Sequence, residues 1–198
     1  RFPVELLAFN ECDFSEDPSA IAAFVRRTAE LNKLLNTASK KLQSWELGTC
    51  TGYSGTRNNV RNHFAACYSV LADQKFVRAE EKASAGCAFV ADHRDTLISG
   101  AATPLELALM LAGMVEANGQ NALIARIDGK WYAGCFLIAE CLPNMLSDDA
   151  EMLRKKSDRG VSDVSLVCAN DVFGGVSFEK AEKSAQNVLQ QGADAEFI

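Results

Sequence analysis

Residues 103–137 read TPLELALMLAGMVEANGQNALIARIDGKWYAGCFL, and this stretch decides the fold. Thr103 and Glu106 form a T-x-x-E capping box, and Pro104 takes the first helical position, where its missing N–H costs nothing. Asn118 and Gly119 supply the stop. Between them Leu105, Leu107, Ala108, Leu109, Met110, Leu111, Ala112, Met114 and Val115 cover every face rather than one stripe, which predicts a helix buried all round. The run is too short to cross a bilayer.

After the helix, NALIARI and KWYAGCFLIA flank Asp128-Gly129, a dipeptide suited to a type I′ turn, and the pair reads as a β-hairpin. In its second strand Trp131, Ala133, Cys135 and Leu137 point one way, and Tyr132, Gly134, Phe136 and Ile138 the other. Both faces are apolar, as expected of an interior strand covered on both sides.

Outward from this core, an Asp17-Pro18 start predicts a helix carrying Ile21, Phe24, Val25, Leu31, Leu34 and Leu35, preceded by RFPVELLAFNE as a strand or extended lead-in. A second helix is expected over Thr56 to Leu71, with Val60, Phe64, Cys67, Tyr68 and Leu71 inward. Residues 74–102 read as irregular with one strand at CAFVA, and Ser147 to Asp163 as a solvated loop or surface helix. A strand at VSLVCA, a turn at Gly174-Gly175 and a helix from Ser177 with Phe178, Ala181, Ala185 and Val188 inward follow, and the tail GADAEFI is expected to fray. The whole predicts an α+β fold: a buried central helix packed on an antiparallel sheet with flanking helices. A single domain spans 1–198, with residues 1–55 a helical N-terminal extension packed on the core.

The chain has 198 residues, 48% of them hydrophobic, which is enough for a substantial core. A net charge of −6 argues against nucleic acid as a partner, because phosphate contact is driven by clustered Lys and Arg. Seven cysteines are scattered without a C-x-x-C pair and read as reduced, buried thiols of a cytoplasmic protein. With two histidines, His63 and His93, a zinc site has little to draw on, and neither metal nor cofactor is expected. No signal peptide or transmembrane run is visible, so membrane insertion is not expected.

Four segments, PSAIAAFVRRTAELNKLL, TGYSGTRNNVRNHFAACYSVL, TPLELALMLAGMVEANGQNALIA and VSFEKAEKSAQNVLQ, occur in the order and spacing of a bacterial branch of the transglutaminase-like, papain-like cysteine hydrolases, and the chain resembles that branch over nearly its whole length. The resemblance implies a transglutaminase-like core whose helix N-terminus holds the nucleophile. It also implies a protein or peptide partner within a larger, multidomain bacterial system, since members accompany helicase-like and nuclease-like proteins. Relatives open the helix with Gly-Thr-Cys-Leu-Asp-Leu-Ala, where the dipole lowers the thiol pKa; here the run is Ala102 to Ala108, and Pro104 stands at the cysteine position. The family's Gly-His-Ala-Phe run matches Gly129-Lys130-Trp131-Tyr132, so Lys130 replaces the base. The third, acidic member falls near Cys168-Ala169-Asn170-Asp171.

The resemblance therefore implies a domain that has lost catalysis and binds a ligand at the former cleft, formed by Thr103, Glu106, Lys130, Trp131, Asn170 and Asp171. The alternative is an active protease, amidase or transglutaminase with a displaced nucleophile, Cys87 served by His93. Along an extended strand those two Cα atoms would lie about 20 Å apart, so a turn between them is required. His63 and Cys67, four apart on one helix, can meet side by side, although Val60 and Phe64 beside them favour core packing.

Overall fold

The computed structural model describes residues 10–13, 18–81, 83–84, 87–142, 144, 146–158, 160–192 and 195–197. The protein is α+β. Helix α4 (Pro104–Ala117) is buried from Pro104 to Val115, as its continuous apolar surface predicts. It leads through Asn118 and Gly119, the latter at φ 81°, into β6 (Ala122–Ile127) and β7 (Lys130–Phe136). Asp128 and Gly129 between them both have positive φ, 48° and 72°, the requirement of the expected hairpin turn.

β7 is interior. The sheet order is β8-β7-β6-β9, all antiparallel, with β8 spanning Val164–Cys168 and β9 Ala195–Phe197. On one face Ala133, Cys135, Leu137 and Val167 join the main core with Leu107, Leu111 and Met114 of α4. The same core takes in Phe64 and Tyr68 of α2 (Arg57–Asp73) and Leu31, Ala38 and Leu42 of α1 (Ala29–Ser44). On the other face Tyr132, Phe136, Val164 and Cys168 pack with Leu153 of α5 (Ala150–Ser157) and with Ala185 and Leu189 of α7 (Phe178–Gln190). The period-two alternation of β7 thus feeds two separate clusters.

The structure corrects three expectations. The first helix is two pieces, a 3-10 helix at Pro18–Phe24 and then α1, because Thr28 turns out of helical geometry and caps Leu31 N–H with its hydroxyl. Residues 74–102 are not irregular: they hold β2 (Val77–Arg78) paired in parallel with β5 (Ala101–Ala102), β3 (Ala83–Ser84) on β4 (Cys87–Phe89), and α3 (His93–Ser99). The tail does not simply fray, since Ala195–Phe197 pairs antiparallel with Ala125–Ile127 and extends the sheet. Val188 packs, partly buried, against the second cluster as expected, and the fully buried Leu189 joins it at the end of α7. Most of RFPVELLAFNE lies outside the described residues; Glu11 opens β1 (Glu11–Asp13), which pairs with β4.

Gly113 lets α1 and its lead-in close on α4. A Cβ there would stand 2.6 Å from Leu31 Cδ1 and 2.8 Å from the Arg26 carbonyl oxygen, and the latter is main chain that cannot swing aside. Replacing glycine by alanine in an exposed helix gains about 1 kcal/mol. At this contact the overlap outweighs that gain, so Gly113→Ala is expected to lower stability by about 1–3 kcal/mol in urea denaturation. A stabilised variant would show that α1 is not held this close.

Candidate functional site

α4 returns antiparallel into β6 and the hairpin then reverses, which brings the first turn of α4 to the end of the sheet where β7 begins. Leu105 of that turn and Trp131 of β7 meet in one apolar cluster with Leu109 and Ile124. The Ala169 N–H donates to the Trp131 carbonyl at 2.9 Å, so Asn170 and Asp171, opening the short α6 (Asn170–Phe173), follow directly at the same end. The expected site residues therefore converge on one end of the sheet, in two halves of different character.

The α4 half is closed. Thr103 and Glu106 are each only 6% exposed, and Pro104 and Leu105 are buried with them. The Thr103 hydroxyl accepts the Glu106 N–H at 3.2 Å, and Glu106 Oε2 accepts the Thr103 N–H at 2.7 Å. The other carboxylate oxygen, Oε1, accepts the Ala91 N–H at 2.7 Å, tying the β4–α3 connection across the helix end. Glu106 is thus held by two main-chain amides, and among the described residues no ion pair joins it to Lys130.

The sheet half is open. Lys130 is exposed, and Trp131 is partly exposed with the Arg126 guanidinium 5.6 Å from its ring centre. Asp171 is half-buried; its carboxyl is pushed above the ordinary range by burial, against which the Lys130 charge acts. Asn170 Oδ1 is shielded from solvent and has no hydrogen-bond partner. Cys168 lies opposite Tyr132; burial raises its thiol pKa, with the Asn170 main-chain N–H, the Tyr132 hydroxyl and Lys130 opposing that shift. A cleft of about 590 Å³ walled by Trp45, Tyr68, Phe76, Phe173 and Phe178 lies elsewhere: none of the six expected site residues lines it.

The remaining candidates separate. Cys87 begins β4, where its main chain pairs with Asp13 and Ser84; its side chain lies outside the described residues. His93 is the first residue of α3 and is 4% exposed, with the strand ended and the chain turned between the two. His63 and Cys67 do meet, Nδ1 to Sγ at 3.9 Å, and both are buried. Gln120 lies beside them, its Nε2 donating to the Gly52 carbonyl at 3.1 Å and to Cys50 Sγ at 3.5 Å. Burial drives the Cys67 thiol far above its ordinary range, which keeps it protonated core. Among the described residues no group of three or more His, Cys, Asp or Glu is placed to hold a metal ion, and no helix is long and apolar enough to cross a membrane.

The second bond of Glu106 and the burial of His93 escaped the sequence reading together, because both depend on α3. Its signals are present in the sequence: Asp92 caps the Arg94 N–H at 2.9 Å, and Gly100 ends the helix at φ 64°. The chain matches no protein-family model, no curated protein and no solved structure.

Proposed function

We propose that the chain is a catalytically silent transglutaminase-like domain that serves as a recognition or scaffolding module for a protein or peptide partner in a larger bacterial system. The observation that carries this reading is the first turn of α4. The position matching the family's nucleophile is a buried proline, and the helix end that would stabilise a thiolate is taken by the Glu106 carboxylate. The accessible recognition surface is then the sheet half, with Lys130 as cation, Trp131 as apolar contact, and Asn170 and Asp171 as hydrogen-bonding groups. The free thiols Cys50, Cys67, Cys135 and Cys168, all buried, suit a reducing compartment such as the cytoplasm.

The competing reading is a thiol hydrolase whose displaced Cys87 is served by His93. Iodoacetamide labelling of the whole chain at neutral pH, mapped by mass spectrometry, separates the two. The silent domain is expected to label first at exposed Cys141 among the described thiols, and slowly at the buried ones, whose thiolates burial disfavours. A single cysteine that reacts faster than a free small thiol, and loses that rate in His93→Gln, sinks the proposal.

A further inference from the structure

His93 sits where three elements meet over the closed half of the site. It occupies the first position of α3, and its side chain faces Asp92 of the same connection, Arg26 ahead of α1, Glu30 of α1 and Glu106 of α4. It is 4% exposed, yet Nδ1 has no hydrogen-bond partner. Of the three carboxylates, Glu106 and Asp92 are engaged elsewhere. Both Glu106 oxygens hold main-chain amides, and Asp92 caps Arg94 through Oδ1 while its Oδ2 lies 3.9 Å from the Arg26 guanidinium. A proton on His93 would create a buried cation at the start of a helix, where the peptide dipoles also oppose positive charge.

The element carrying this histidine is short and packs lightly, with Leu97 partly buried against the main core as its aliphatic contact. α3 is seven residues long, and its buried side chains are His93 and Thr96; Ile98 stands 73% exposed. Such a segment opens at far lower cost than the α4 core behind it. Its links to the helix end are the Ala91 N–H to Glu106 bond, two residues from His93, and the packing of Val90 against Leu105 and Leu109.

We propose that protonation of His93 releases the β4–α3 connection from α4 and uncovers Thr103 and Glu106. Acidification thereby opens the closed half of the surface; that this exposes a recognition face rests on the function proposed above, whereas the release itself does not. The direction agrees with the burial of the imidazole, which lowers its affinity for a proton in the closed state and so links proton uptake to opening.

Hydrogen–deuterium exchange on the whole chain tests this without any ligand, so a failed release and a failed recognition reading are told apart. After correction for the intrinsic pH dependence of exchange, peptides covering 87–99 should lose protection between pH 7.5 and 5.5, approaching tenfold per pH unit once opening takes up one proton. Peptides from 107–117 and 130–136 should hold theirs. His93→Gln should abolish the pH dependence, and His63→Gln should keep it. Protection in 87–99 that ignores pH, falls equally across the chain, or still falls in His93→Gln overturns the proposal. Should His93→Gln fail to fold, imidazole NMR of the unmodified chain decides: His93 must titrate together with the Ala91 and Thr96 amides, and titration without their movement overturns it.

Discussion

Glu106→Ala is expected to destabilise the fold by about 3–5 kcal/mol in urea denaturation, several times the roughly 1 kcal/mol of an ordinary helix cap. The excess follows from burial. At an exposed helix end, water replaces a lost capping carboxylate. Here Glu106 is 6% exposed, and its removal strands both the Thr103 and Ala91 N–H groups. The buried Thr103 donor left unpaired costs about 1–3 kcal/mol, and the part-buried Ala91 donor falls in the lower part of that range. Glu106→Gln keeps one acceptor oxygen but turns its NH2, a donor, towards the other main-chain N–H, so it should recover no more than about half of the loss. An alanine variant within 1 kcal/mol of the unmodified chain would mean that water reaches this helix end, and the closed half of the site would have to be given up.

The two partners of Glu106 illustrate what the sequence can and cannot carry. The bond to Thr103 is local, three residues apart, and the T-P-L-E pattern announces it together with the proline and the all-round apolar helix. The bond to Ala91 spans fifteen residues and exists only because β4 ends, the chain turns and α3 lies across α4. Nothing in the period of residues 74–102 foretells that crossing, since α3 is short and buries His93 and Thr96 rather than an aliphatic stripe. The hairpin was legible for the same reason as the capping box: Asp128-Gly129 fixes the turn, and alternation from Trp131 onward assigns both faces. The β9 strand was not, because three residues have no pattern of their own and become a strand only by pairing with β6. At the site, only a resemblance of short runs points to Pro104 and Lys130, while the difference between a sealed helix end and an open sheet end is purely tertiary.

The chain's two histidines make its acid stability unusually readable. Burial lowers the proton affinity of both His63 and His93 in the folded state. Above the unfolded value of about 6.5 both states are neutral and neither residue contributes. As pH falls below it, the unfolded chain binds protons that the fold refuses, so stability drops by up to about 1.4 kcal/mol per pH unit per histidine until each folded value is reached. Unfolding free energies measured from pH 7.5 to 5.5, a window clear of the ordinary carboxylate range, should therefore fall with a slope approaching about 2.7 kcal/mol per pH unit if both histidines stay shut in. The local release of α3 alters this in a definite way. Once His93 is freed without global unfolding, it takes its proton in the native ensemble and ceases to favour the unfolded state, and the slope relaxes toward that of His63 alone, held on α2 against Gln120. His63→Gln should then flatten the acid limb almost completely, while His93→Gln changes chiefly its upper part. Stability independent of pH across this window would refute the burial of both imidazoles, and equal, additive halves from the two variants would restrict His93 to global unfolding.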